Sequence, residues 1–114
     1  MIDETAWKTE ERLWLEGVEV YDEIVDPACL MAFPSMGVLQ TPAVRKGLEG
    51  ATRWTSVAMT NRTLSRAGDD VMVLGYTAEG ERKGARPYLC FCTSTYRAVG
   101  ESWKLVQHQQ TLAD

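Results

Sequence analysis

The strongest constraint on this chain is the punctuation of its second half. Four stretches that suit strands follow one another: Val57 to Arg66, Val71 to Thr77, Arg86 to Arg97 and Trp103 to Gln110. Each junction carries glycine, in Gly68-Asp69-Asp70, Gly80 to Gly84 and Val99-Gly100-Glu101. Loops this short join antiparallel neighbours, because a parallel return needs a crossover of about a dozen residues or more. A four-stranded antiparallel meander is therefore predicted.

The first half reads differently. Trp7, Leu13, Trp14, Val18, Tyr21, Ile24 and Val25 recur mostly in steps of three, four and seven, which places them on one helical stripe. Asp3 is the expected N-cap. Gly17 divides the stripe into a long helix and a shorter one, and Asp26-Pro27 ends it, since a residue before proline leaves the α region. Cys29 to Phe33 suits a short strand, Pro34 to Gly37 a turn, and Val38-Leu39 a brief return. Thr41-Pro42 then starts a short helix, with Thr41 as cap and Pro42 at the first helical position, ended by Gly47 or Gly50. Helices first and strands last is the α+β pattern. With 114 residues there is room for one domain, 1–114, and one core.

Charge and cysteine usage narrow the function classes. A net charge of −4 and the absence of any basic run argue against a nucleic-acid or anionic-membrane surface. Arg82-Lys83 with Arg86 is the densest basic cluster, and its place in a loop implies solvation. No apolar stretch approaches the length of a bilayer span, and the acidic start Met1-Ile2-Asp3-Glu4 does not resemble a secretory leader. Three cysteines, two of them alternating as Cys90 and Cys92, do not make a disulfide framework, so a cytoplasmic location is expected. One histidine and this cysteine spacing do not match a zinc site, and no metal or cofactor is expected.

Three groups of side chains are candidates for a site. His108 is the sole histidine and the side chain that titrates near neutral pH; facing a cavity it would serve as acid, base or ligand, and otherwise it is a hydrogen-bonded histidine at a sheet edge or subunit face. Tyr88, Cys90, Cys92, Ser94 and Tyr96 share one face of a strand and can line a cavity. Cys90 and Cys92 also suit plain burial, and nothing near them in sequence supplies the positive charge of a reactive thiolate. Trp7, Trp14, Trp54 and Trp103 are a large aromatic complement for so short a chain.

The stretches Tyr21 to Pro34, Gly68 to Tyr76 and Tyr96 to Thr111, in that order and spacing, resemble the nuclear transport factor 2-like superfamily over roughly Ala6 to Thr111. The chain is most similar to short stand-alone bacterial domains of unknown function, the SnoaL-like relatives of polyketide cyclases and of the calcium/calmodulin-dependent kinase association domain. The resemblance implies a cystatin-like α+β roll, a cone-shaped antiparallel sheet lidded by N-terminal helices. It implies a cavity walled by Trp14, Met31, Phe33 and Trp54, and a homodimer through the convex face, where Leu89, Phe91, Trp103 and Leu105 are expected. It also implies a three-residue turn at 99–101 that pairs Ser94 with Val106 and Cys92 with His108, with Lys104, Val106, His108 and Gln110 on the concave side. Tyr88, Cys90, Cys92 and His108 then share the cavity.

Superfamily enzymes argue the other way at two points. Ketosteroid isomerases carry a carboxylate base at the end of the short strand, where this chain has Phe33-Pro34-Ser35. The Asp-Arg-Asp set of epoxide hydrolases finds no carboxylate within 71–78 or 87–96. The expected function is thus binding of a small apolar or amphipathic molecule by a dimer. The alternatives are a cyclase-, isomerase- or hydrolase-like enzyme using His108, and a non-catalytic assembly module. Fold alone does not choose among them.

Overall fold

In the computed structural model, which describes residues 1–113, helices α1 (Asp3–Leu15) and α2 (Val18–Ile24) precede β1 (Val25–Phe33) and β2 (Gly37–Gln40). Helix α3 (Thr41–Leu48) follows, then β3 (Ser56–Arg66), β4 (Val71–Glu81), β5 (Tyr88–Val99) and β6 (Ser102–Leu112). The strands form one curved, open sheet in the order β2-β1-β6-β5-β4-β3. Strands β3 to β6 make the predicted antiparallel meander. The β1–β6 pair is parallel, joined through the whole intervening chain. Among the described residues, no helix is long and apolar enough to cross a membrane.

Alternation decides which face is buried. In β4, Met72, Leu74, Tyr76 and Ala78 point inward, and in β5 Cys90, Cys92, Ser94 and Tyr96 do so opposite them. Helix α1 lays Ala6, Glu10, Leu13 and Trp14 on this inner face, the i, i+4, i+7, i+8 stripe of an amphipathic helix. The outer face of β5 and β6 carries a ladder of Thr93 with Gln109 and Thr95 with Gln107, beside exposed Leu89 and Phe91. A bulge bends the edge: Asn61 and Arg62 together oppose Tyr76, with Asn61 at φ 52°. Arg62 lies 5.0 Å above the Trp7 ring.

Several local expectations are corrected. Asp3 does not cap α1; Ile2 holds the cap position, and the Asp3 carboxylate is drawn to Arg66 at 2.7 Å. Gln40, not Thr41, precedes α3, because the Thr41 hydroxyl donates to the Asp26 carbonyl at 2.6 Å instead. Strand β4 runs through Gly80 to Glu81, so Gly80 belongs to the sheet rather than to a loop.

The last hairpin is the largest correction. Its turn holds two residues, Gly100 and Glu101, between paired Val99 and Ser102. Val106 is an extra residue between the Tyr96–Leu105 and Thr95–Gln107 pairs, so Ser94 faces His108 and Cys92 faces Gln110. The bulge reverses facing partway along β6. His108 is turned inward, as the expected register also had it. Leu105 is buried instead of lying on the convex face, displacing Lys104 and Val106, and Trp103 packs against the same core.

Candidate functional site

A carboxylate lies at the centre of the inner face. Glu10 is fully buried, carried inward by the apolar stripe of α1. Three hydroxyls converge on it. Tyr76 and Ser94 donate to Oε2, each at 2.5 Å, and Tyr96 donates to Oε1 at 2.6 Å. Tyr76 also accepts the Trp14 indole N–H at 3.0 Å. Charge-assisted bonds of this kind are the means by which a protein accommodates a buried carboxylate.

The network extends to His108 through Ser94. Cross-strand pairing places Ser94 Oγ 2.7 Å from His108 Nδ1. The one Ser94 proton goes to Glu10, so Nδ1 carries the imidazole proton and donates to Ser94. Nε2 then holds a lone pair, which accepts from the Gln110 amide at 3.1 Å, while Gln110 Oε1 accepts from Tyr88 at 2.8 Å. Every donor points the same way, from Tyr88 through Gln110, His108 and Ser94 to Glu10. Burial lowers the His108 pKa from its usual value, against a smaller opposing pull from Glu10, and so favours the neutral ring. Burial in turn pushes the Tyr76 and Tyr96 hydroxyls well above their ordinary range, with the Glu10 charge adding to it.

Beside this network is a cavity of about 400 Å³ between the helices and the sheet. Leu13 and Trp14 of α1, Tyr21 of α2, Met31 and Phe33 of β1, and Val44 and Leu48 of α3 give it apolar walls. Leu105, His108 and Gln110 form the β6 side. Arg53 and Trp54 border it from the segment before β3. Arg53 is anchored by donating to the carbonyls of Leu13, Trp14 and Glu16 at 2.8 Å, which satisfies the open end of α1. Arg82 is not simply solvated: its guanidinium covers the Trp54 ring at 4.1 Å.

Of the residues predicted to surround a cavity, Trp14, Met31, Phe33, Trp54 and His108 lie together on this one. Tyr88 stands one layer back, stacked on Trp54 at 5.3 Å and bonded to Gln110. Cys90 and Cys92 are outside the wall, with Trp14 and Tyr76 in a second core cluster. The Gln110 side chain, opposite Cys92 in the register, holds the place at the wall instead. Sequence reasoning missed Glu10 altogether. Its signal was present, a carboxylate on the apolar stripe four residues after Ala6 and four before Trp14.

No family model and no curated protein matches the chain. Solved structures do. An NTF2-like protein of unknown function in nutrient uptake from Rhodospirillum rubrum superposes with a TM-score of 0.79 at 20% identity, covering 93% of this chain and 96% of that one. A putative Ca/calmodulin-dependent kinase II association domain from Exiguobacterium sibiricum gives 0.81 at 13% identity, over 97% and 90%. A Nostoc punctiforme protein of unknown function with a cystatin-like fold gives 0.74 at 17%, over 96% and 86%. The chain has the nuclear transport factor 2-like fold. In this NTF2-like sheet, the inner face carries both a titratable network and an adjoining apolar cavity, and His108 belongs to both.

Proposed function

We propose that this NTF2-like domain binds a small molecule with a largely apolar body in the cavity between helices and sheet, and that it works as a homodimer. The observation that carries the reading is the make-up of the cavity's lining. Aliphatic and aromatic side chains make most of the wall, while His108 and Gln110 on β6, with Thr52, Arg53 and Arg82, offer a few polar groups. This is the usual build of a ligand site. Trp54 reports on occupancy. Apolar probes should quench its fluorescence saturably, and His108→Ala should alter that quenching without altering association state. Quenching that never saturates would sink the binding reading.

Association is supported by exposed Leu89 and Phe91 on the outer face of β5, and by neighbours whose names describe association domains. Sedimentation at micromolar concentration should give twice 12.8 kDa, and Phe91→Glu should return the 12.8 kDa species. A wild-type chain that sediments as the monomer would contradict the dimer.

A second reading, acid–base catalysis, is favoured by one observation: a carboxylate and an imidazole are joined through a single hydroxyl at the cavity edge. Its carboxylate comes from α1, not from the 33–35 position of ketosteroid isomerases. Hydrolytic or isomerising turnover lost in both His108→Phe and Ser94→Ala would support it. Turnover that survives both would dismiss it.

A further inference from the structure

The direction of the hydrogen-bond chain restricts what can dock at its cavity end. Glu10, accepting from three hydroxyls, is the terminus of the chain. Ser94 spends its proton on Glu10, which obliges His108 to present a lone pair at Nε2. Tyr88 spends its proton on Gln110 Oε1, which obliges Gln110 to present N–H. The lone pair and one of the two amide N–H groups of Gln110 now satisfy one another at 3.1 Å, and both residues line the cavity.

A polar group entering between them must do two things at once. It must accept from Gln110 and donate to His108, or it leaves the buried His108 Nε2 or the half-buried Gln110 N–H without this partner. A hydroxyl does both. A ketone or ether placed between them accepts but cannot donate, so the Nε2 lone pair is orphaned, and one that takes only the second Gln110 N–H stays outside the chain. An ammonium donates but cannot accept, so the Gln110 N–H is orphaned. A carboxylate cannot donate, and it adds a second negative charge beside Glu10.

We infer that the cavity takes a neutral ligand with a compact apolar body and one hydroxyl, inserted between Gln110 and His108. The ligand then becomes a member of the chain that runs from Tyr88 to Glu10. Arg53, with Nε and one Nη committed to the end of α1, and Arg82, over the Trp54 ring, also line the cavity, so the carboxylate probe sets their charge against this selection. This inference rests on the ligand-binding reading and specifies the class of ligand for the same cavity.

The test uses three probes with one cage-like body: a secondary adamantanol, adamantanone and adamantane carboxylate. Titration calorimetry on the wild-type protein at neutral pH should show the alcohol binding about tenfold or more tightly than either other probe, the penalty of one orphaned polar group. His108→Phe should bring alcohol and ketone to within about twofold of each other. Should that variant fail to fold, Gln110→Leu, at a half-buried position, removes the donor instead and should also reduce the alcohol's advantage. Ketone or carboxylate binding as tightly as the alcohol in the wild type would overturn this inference and leave the ligand-binding reading intact. An alcohol preference that persists in a folded His108→Phe or Gln110→Leu protein would overturn it as well. If no probe binds at about 10 mM, the ligand-binding reading falls and this inference with it.

Discussion

Ser94 and Glu10 are 84 positions apart in the chain, and the Ser94 hydroxyl reaches the Glu10 carboxylate at 2.5 Å. The bond joins the outermost layer of the fold, a helix, to the middle of the sheet. It also sits where a histidine and two tyrosines meet the same carboxylate, so its loss would be felt by all of them.

Glu10→Ala should be severely destabilising. It strands three buried hydroxyl donors and opens a void, and the cost should be about 3 kcal/mol or more. Glu10→Gln keeps one carbonyl acceptor and should fall between Ala and wild type. Urea unfolding midpoints read both. A Glu10→Ala protein within about 1 kcal/mol of wild type would show that the network contributes little to folding.

His108 should make stability fall on mild acidification. Its folded-state pKa is depressed below the ordinary 6.5, chiefly by burial, so between those two values the unfolded chain binds the additional proton. The stabilisation is complete above the unfolded value and is lost as pH drops through the folded one. Unfolding midpoints at about pH 7 and about pH 5 should therefore differ more in wild type than in His108→Gln. Equal slopes would refute the assignment.

Gly80 is held small by two indoles. A Cβ there would stand 3.0 Å from Trp54 Cε3 and 3.2 Å from Trp14 Cζ3. Gly80→Ala should cost about 1–3 kcal/mol through overpacking and should shift tryptophan emission, since both rings must move.

The thiols should be silent in the native state. Burial pushes Cys29 up to about 12, and Cys92 is raised further by its close approach to Cys90, 3.4 Å between sulfurs. The same contact lowers Cys90, yet all three side chains are buried. A disulfide-exchange reagent should modify them only as fast as the protein unfolds. A rapid phase in native buffer would point to an opening that exposes β5.

The legible part of the fold was the part written in punctuation and periodicity. The turn at Gly68-Asp69-Asp70 located β4, and the stripe from Trp7 to Val25 located the helices. The bulge at Val106 was not legible, because an unpaired residue leaves no mark on composition and is decided by how Leu105 and His108 both find cover. His108 reached the cavity in spite of the wrong register, since a slip of two residues preserves facing. Glu10 was passed over because a carboxylate counts as surface by default, and its donors come from positions 76, 94 and 96. Only the folded sheet brings those hydroxyls to one point.

The parallel pairing of β1 with β6, in which Met31 sits beside His108, has a consequence for the order of events during synthesis. Strand β1 leaves the ribosome before β3, β4 and β5, but the edge it needs, β6, emerges after them. Until then the inner side chains of β1 wait without their β6 neighbours, while β3, β4 and β5 can already zip together as local hairpins. The sheet is therefore completed from the middle of the chain outward. Residues made earlier are seated by residues made later, and the wall that holds His108 closes only when β1 and β6 have met.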